Sequence, residues 1–180
     1  MNKLKSFLQR IYRLTLSYQK QEELVWSDLK KNHTEADWTF GVYEKDKYIE
    51  TNFNISVETA EVFYHMIYDS RFHCRVKILR DFSSNLTTDI FILASHFNNI
   101  LVNGVVKINV NKQFVEYHEK IDLLIPLLYK GEIYAQINRH HQTTEDIYSA
   151  FQRLVNENEA PAIIMADMFR ANKKNNENKE

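Results

Sequence analysis

Seven histidines and one cysteine are the residues of this chain that most invite chemistry, and their spacing limits how far that goes. His140-His141 with Glu145 is the densest group. Adjacent histidines point apart on a helix or a strand, and His141 and Glu145 share a helical face only if no break falls at Thr143, so no metal shell assembles locally. Neither a metal nor another cofactor is expected. A second pair, His65 and Cys74, would face each other if the chain turns at Asp69-Ser70, and an imidazole beside a thiol activates it as a nucleophile. Cys74 shares its face with Val76 and Ile78, however, and free cysteine there reads more simply as a small core hydrophobe. The third set is Tyr64, Tyr68, Arg71, His73, Arg75 and Lys77, aromatic platforms with phosphate-seeking cations, the mixture used to bind single-stranded nucleic acid. Its competing account is a solvated sheet face, or one covered by the N-terminal helix. Three widely spaced glycines, Gly41, Gly104 and Gly131, build no phosphate-cradling loop, and HExxH, GxSxG and a distinctive carboxylate pair are all missing. No catalytic residue is predicted, and the protein is not expected to be an enzyme.

The elements that must position these residues centre on 85–118. Leu86, Ile90, Leu93, Ala94, Phe97 and Leu101 recur at helical spacing, with Asp89, Ser95 and Asn98 on the other side. Asn85 or Thr87 is the expected cap, and Asn103-Gly104 the expected left-handed stop. The period then changes to two: Val106, Ile108 and Val110 alternate with Lys107 and Asn109, and after Asn111-Lys112 alternation resumes from Phe114 to His118. Upstream, 3–31 reads as one long amphipathic helix whose apolar stripe must be covered. Its first twenty residues hold Lys3, Lys5, Arg10, Arg13 and Lys20 with no acid, a pattern also found in helices that lie on anionic membranes, although such charge is more usually a solvated face.

Trp38 to Ile55 reads as a hairpin turning at Glu44 to Lys47. For 59–79 a helix from Ser56 competes with a second hairpin, and the hairpin passes a register test: with Asp69 and Ser70 as the loop, Phe63 opposes Val76, His65 opposes Cys74 and Ile67 opposes Phe72, which makes one face nearly all apolar. The other face carries Tyr64, Met66 and Tyr68 opposite Arg75, His73 and Arg71. Downstream, a short helix over 131–141, another capped by Thr143 or Thr144, and a last one from Pro161 through Phe169 are predicted. The fold class is therefore α+β, a twisted antiparallel sheet packed by a central helix, with a long N-terminal helix and C-terminal helices.

A chain of 180 residues, 44% hydrophobic and without a linker-like stretch, predicts one domain over 1–171 and a disordered polar tail over 172–180. The net charge of −1 argues against a surface built throughout for polyphosphate, though local basic faces remain open. With Cys74 alone, no internal disulfide or cysteine-based zinc site forms, which suits a reducing compartment. Gln9, Arg10 and Arg13 interrupt the apolar run a signal peptide needs, and no stretch reaches membrane-spanning length, so the expected location is cytoplasmic.

The segment 90–123 resembles the YbjN family, itself similar in fold to type III secretion chaperones. The matching residues are Phe97-Asn98-Asn99 at the helix end, the strand Gly104 to Val110, its partner Phe114 to His118, and Asp122. The chain departs from that pattern in an extra strand between Asn54 and Leu79 and an insertion from Leu124 to Gln142. The resemblance implies an α+β domain that binds polypeptide, by a sheet edge or an apolar groove, and often forms a homodimer, with no catalytic residues to carry over. The alternative is single-stranded nucleic-acid binding by the Tyr/Arg face.

Overall fold

The computed structural model describes residues 3–129 and 131–177, and the side chains of 7–129 and 131–171. Where the sequence alternates with period two, strands form: β1 (Phe40–Tyr43), β2 (Tyr48–Asn54), β3 (Ala60–Tyr68), β4 (Arg71–Arg80), β5 (Gly104–Asn109) and β6 (Phe114–Asp122). They make one six-stranded antiparallel sheet in the order β1-β2-β3-β4-β6-β5. The helices are α1 (Lys3–Leu14), α2 (Tyr18–Glu35), α3 (Thr87–Ile100), α4 (Leu124–Leu128), α5 (Glu132–Asn156) and α6 (Pro161–Glu177). The chain divides into two compact units, Met1–Val76 with Glu119–Gln142, and Lys77–His118 with Thr143–Glu180.

In the first unit the competition over 59–79 is settled in favour of strands. Asp69 and Ser70 both take positive φ, at 50° and 52°. That is the twist a two-residue hairpin loop needs. The register is Phe63↔Val76, His65↔Cys74, Ile67↔Phe72 and Tyr68↔Arg71, as the turn dictates. All six residues of this face are buried, and Ile67, Phe72 and Cys74 among them share a core cluster with Val25, Trp26 and Leu29 of α2 and Ile133 and Ile137 of α5.

The predicted single helix over 3–31 is in fact two. Gln21 explains the break: its buried Nε2 donates to the carbonyls of Leu14 (3.0 Å) and Leu16 (3.1 Å). Thr15 Oγ1 also donates back to the Tyr12 carbonyl. These bonds satisfy carbonyls that end α1, so the chain is able to stop and restart without glycine or proline. Conversely, the expected break at Thr143-Thr144 is absent. Thr144 lies inside the continuous α5 and is fully buried, so it is a packing residue and caps nothing.

In the second unit α3 buries Ile90, Leu93, Ala94 and Phe97, the predicted stripe, and Phe97 stacks on Phe151 at 6.2 Å. A 3-10 turn at Ser84–Leu86 leads into α3, and no side chain caps it, so the expected Asn85 or Thr87 cap does not form. The stop is not left-handed either. Leu101 is extended, at φ −73° and ψ 126°, and neither Asn103 nor Gly104 has positive φ. Gly104 is required for another reason: a Cβ there would lie 2.6 Å from Cε2 and 2.7 Å from Oη of Tyr117. Tyr117 is fully buried and has no room to swing away. Gly104→Ala is therefore expected to cost about 1–3 kcal/mol through overpacking, read as a lower urea midpoint at unchanged m value.

Val110 belongs to the turn Val110–Gln113 and not to the strand, with Asn109 Oδ1 accepting from the Lys112 amide. Along β6 the predicted alternation gives way: Val115, Glu116 and Tyr117 are all buried, so both faces of this interior strand are covered there. At the end of the chain α6 starts at Pro161 and continues past Phe169 to Glu177, while 178–180 lie outside the described residues.

Candidate interaction surface

The outer face of β1–β4 is built by register. Gly41, Glu50, Tyr64 and Arg75 form one row across it, and Tyr43, Tyr48, Met66 and His73 the next. Tyr43 and Tyr48 stack at 4.2 Å with their rings 9° apart, and Tyr64 lies 6.3 Å beyond Tyr48. Tyr43 donates its hydroxyl to Glu50 Oε2 at 3.0 Å, and this bond to a carboxylate raises the pKa of the phenol. The sequence had offered Tyr64 and Tyr68 here. It gave no sign that Tyr43 and Tyr48 continue the row, because the pairing of β2 with β3 is not fixed by a tight turn.

Each predicted site residue is on this face or its continuation along β4, but their states differ. Tyr68 and Arg71 are exposed, and Tyr64, Arg75 and Lys77 half-buried. His73 is buried and donates Nε2–H to the Tyr68 carbonyl at 2.9 Å, and burial lowers its pKa. It is therefore neutral near pH 7. Lys77 Nζ sits 4.8 Å from the Phe114 ring centroid, a cation–π contact.

The inner face carries the other candidate chemistry and disarms it. His33 Nδ1–H donates to the Leu29 carbonyl at 2.9 Å, which leaves Nε2 to accept from His65 Nδ1–H, also at 2.9 Å. His65 thus turns its donor to His33, not to the facing thiol. Burial, with the charge of Glu119, pushes the Cys74 thiol well above its ordinary pKa, so Cys74 is a core hydrophobe and no thiolate. His140 and His141 diverge as expected: His140 is fully buried edge-on to Phe63, while His141 donates Nε2–H to the Asn54 carbonyl at 2.8 Å. Among the described residues no three of His, Cys, Asp and Glu are placed to hold a metal ion.

The two edges of the sheet are treated differently. At β5 the Asn98 side chain acts as a substitute strand, its Oδ1 accepting from the Val106 amide (2.7 Å) and its Nδ2 donating to the Val106 carbonyl (3.1 Å). Both outward groups of Val106 are thereby used up. At β1 no hydrogen bond from outside the sheet reaches the backbone of Phe40–Tyr43 among the described residues, and Val42 and Tyr43 are exposed. A polar cleft of about 420 Å³ lies elsewhere in the same unit, lined by Arg10, Arg13, Asp28, Glu35 and Tyr129 among others.

No helix of the described residues is long and apolar enough to cross a membrane. Neither a protein-family model nor a curated protein matches the chain. Among solved structures it is similar to the crystal structure of YbjN from E. coli, described there as a candidate transcription regulator. The likeness has a TM-score of 0.51 at 7% identity, covering 68% of this chain and 87% of that one. At such identity it speaks for the backbone alone, and what it shows is a YbjN-like α+β fold.

Proposed function

We propose that the protein is a non-enzymatic interaction domain that binds an extended polypeptide along β1, with the Tyr43–Tyr48 shelf taking its side chains. The observation that carries this reading is the asymmetry of the edges: Asn98 occupies the outward groups of Val106 on β5, and among the described residues none from outside the sheet bonds to the backbone of β1, which lies beside stacked aromatics. Main-chain bonding to such an edge supplies affinity, and tyrosine supplies large contact area at low entropic cost. Holding a partner's unfolded segment is the chaperone-like or regulatory role the fold resemblance implies, and the description of YbjN as a candidate regulator is compatible with it. A single cysteine, which forms no disulfide within the chain, suits a reducing, cytoplasmic setting.

The nucleic-acid alternative is less well supported by the same face. Of its four cationic candidates, His73 is buried and held neutral, Lys77 is drawn to Phe114, and Arg75 is already engaged. Glu50 also stands in the middle of the tyrosines.

Panning a displayed random-peptide library distinguishes the two. Enriched peptides are expected to shift the amide resonances of Phe40–Tyr43 and to lose about thirtyfold in affinity to the Tyr43→Ala/Tyr48→Ala double variant, the effect of removing a typical hot spot. An absence of enriched peptides, combined with salt-sensitive binding of a single-stranded oligonucleotide that Arg71→Ala weakens, would overturn the reading.

A further inference from the structure

α1 turns its basic side toward the protein. Phe7, Leu8, Ile11 and Tyr12, the stripe that the sequence predicts is covered, are exposed, while Arg10 and Arg13 of the opposite side line the polar cleft that α1 forms with α2 and the corner between α4 and α5. Around that cleft the charges are paired with one exception. Arg13 meets Asp28 at 2.8 Å, Lys31 meets Glu35 at 3.5 Å, and Glu132 is held by Arg139. Each lining carboxylate therefore has a cation of its own, and Arg10 is the cation left over: among the described residues its Nη1 is buried with no hydrogen-bond acceptor. A guanidinium partly taken from water without a partner costs free energy that the fold does not recover. The cleft also has an apolar wall, where Pro126 and Ile133 are buried and Tyr129 presents an exposed ring.

We infer that this cleft binds a small organic monocarboxylate, with the carboxylate on the Arg10 guanidinium and the apolar body against Pro126, Tyr129 and Ile133. Shape favours that headgroup, since the planar fork of an arginine matches the two oxygens of a carboxylate with parallel N–H bonds. Charge limits it to one negative unit. A single uncompensated cation balances a single anion, and the carboxylates of Asp28, Glu35 and Glu132 around the same cleft repel a second charge, which disfavours a phosphate dianion. Size agrees: a volume of about 420 Å³ is that of a small-molecule site. The bound anion would neutralise the charge that the free protein holds unpaired.

The test is titration of the full chain with sodium benzoate at constant ionic strength, followed by nuclear magnetic resonance. Benzoate is expected to shift the Arg10 Nε–H and Gly131 amide signals with a Kd of about 1 mM, the affinity a ligand of this size reaches with one good ion pair. Benzamide, its uncharged isostere, and inorganic phosphate are each expected to bind about tenfold more weakly or worse. Arg10→Met keeps the stem of the side chain and removes the fork, so benzoate affinity is expected to fall about tenfold or more. The thermal midpoint of that variant without ligand is expected to be unchanged or raised, because Arg10 Nη1 has no bond to lose. Arg10→Lys, which restores the charge without the fork, is expected to recover part of the affinity. The inference is overturned if benzoate leaves both signals unmoved, if benzamide or phosphate binds as well as benzoate, or if Arg10→Met binds benzoate undiminished. A lower midpoint for Arg10→Met also overturns it, since Arg10 would then be a structural residue. The lining residues lie outside β1, so no outcome bears on peptide binding there.

Discussion

Acidification from pH 7 to pH 5 is expected to lower the unfolding free energy progressively, with His33 and His65 as the main cause. Both are fully buried, and burial depresses the pKa of each below 6.5 in the folded state, that of His65 further. Below pH 6.5 the unfolded chain therefore binds more protons than the folded one. The stabilisation is fully present above that value and is lost as pH falls from 6.5 toward the folded pKa values, at no more than about 1.4 kcal/mol per pH unit for each group. The hydrogen bonds give the molecular reason. A protonated His33 would point Nε2–H at His65 Nδ1 and force His65 into its other tautomer, with a donor at Nε2, a buried atom that has no partner. Urea unfolding at a series of pH values measures the slope, and His65→Leu is expected to flatten it whatever that variant's absolute stability. A slope unchanged by His65→Leu would acquit the pair.

Phe63→Ala is expected to be the most damaging single truncation, at about 3–5 kcal/mol. The side chain is fully buried and its ring is packed by Phe53 at 5.1 Å and by His140 and His141, each at 5.6 Å. The truncation empties a site walled by strand β2 and helix α5 at once, and rigid aromatic neighbours collapse into a void poorly. A fall in thermal midpoint of about 6–20 °C follows for a chain of this size. Tyr64→Ala, one position along on the outer face, is the control and should cost far less, since Tyr64 is only half-buried.

The legible parts of this fold were those specified locally. The β3–β4 register followed from one tight loop and a parity argument, because shifting by one residue would put Phe63, His65 and Ile67 in water. The stripe of α3 followed from its spacing. What escaped depended on long-range partners. Gln21 looks like any polar helix residue until its amide is seen on the carbonyls of Leu14 and Leu16. Gly104 looks like a helix stop until the Tyr117 ring is seen against it. Asn98, part of the Asn pair by which the chain resembles YbjN, looked solvated and turned out to close an edge. The same holds for the outer face: period alone put Tyr64, Tyr68 and Arg71 on it, while the placement of Tyr43 and Tyr48 needed the neighbouring hairpin.

The order of the sheet also bears on how the chain comes off the ribosome. Strands β1 to β4 are neighbours in sequence and in space, so each finds its partner with little loop-closure cost as soon as it is synthesised. The far side of β4 must instead wait for β6, which is made only after α3 and β5. Until then a nascent chain carries a bare ladder that a neighbouring polypeptide on the same message is free to extend.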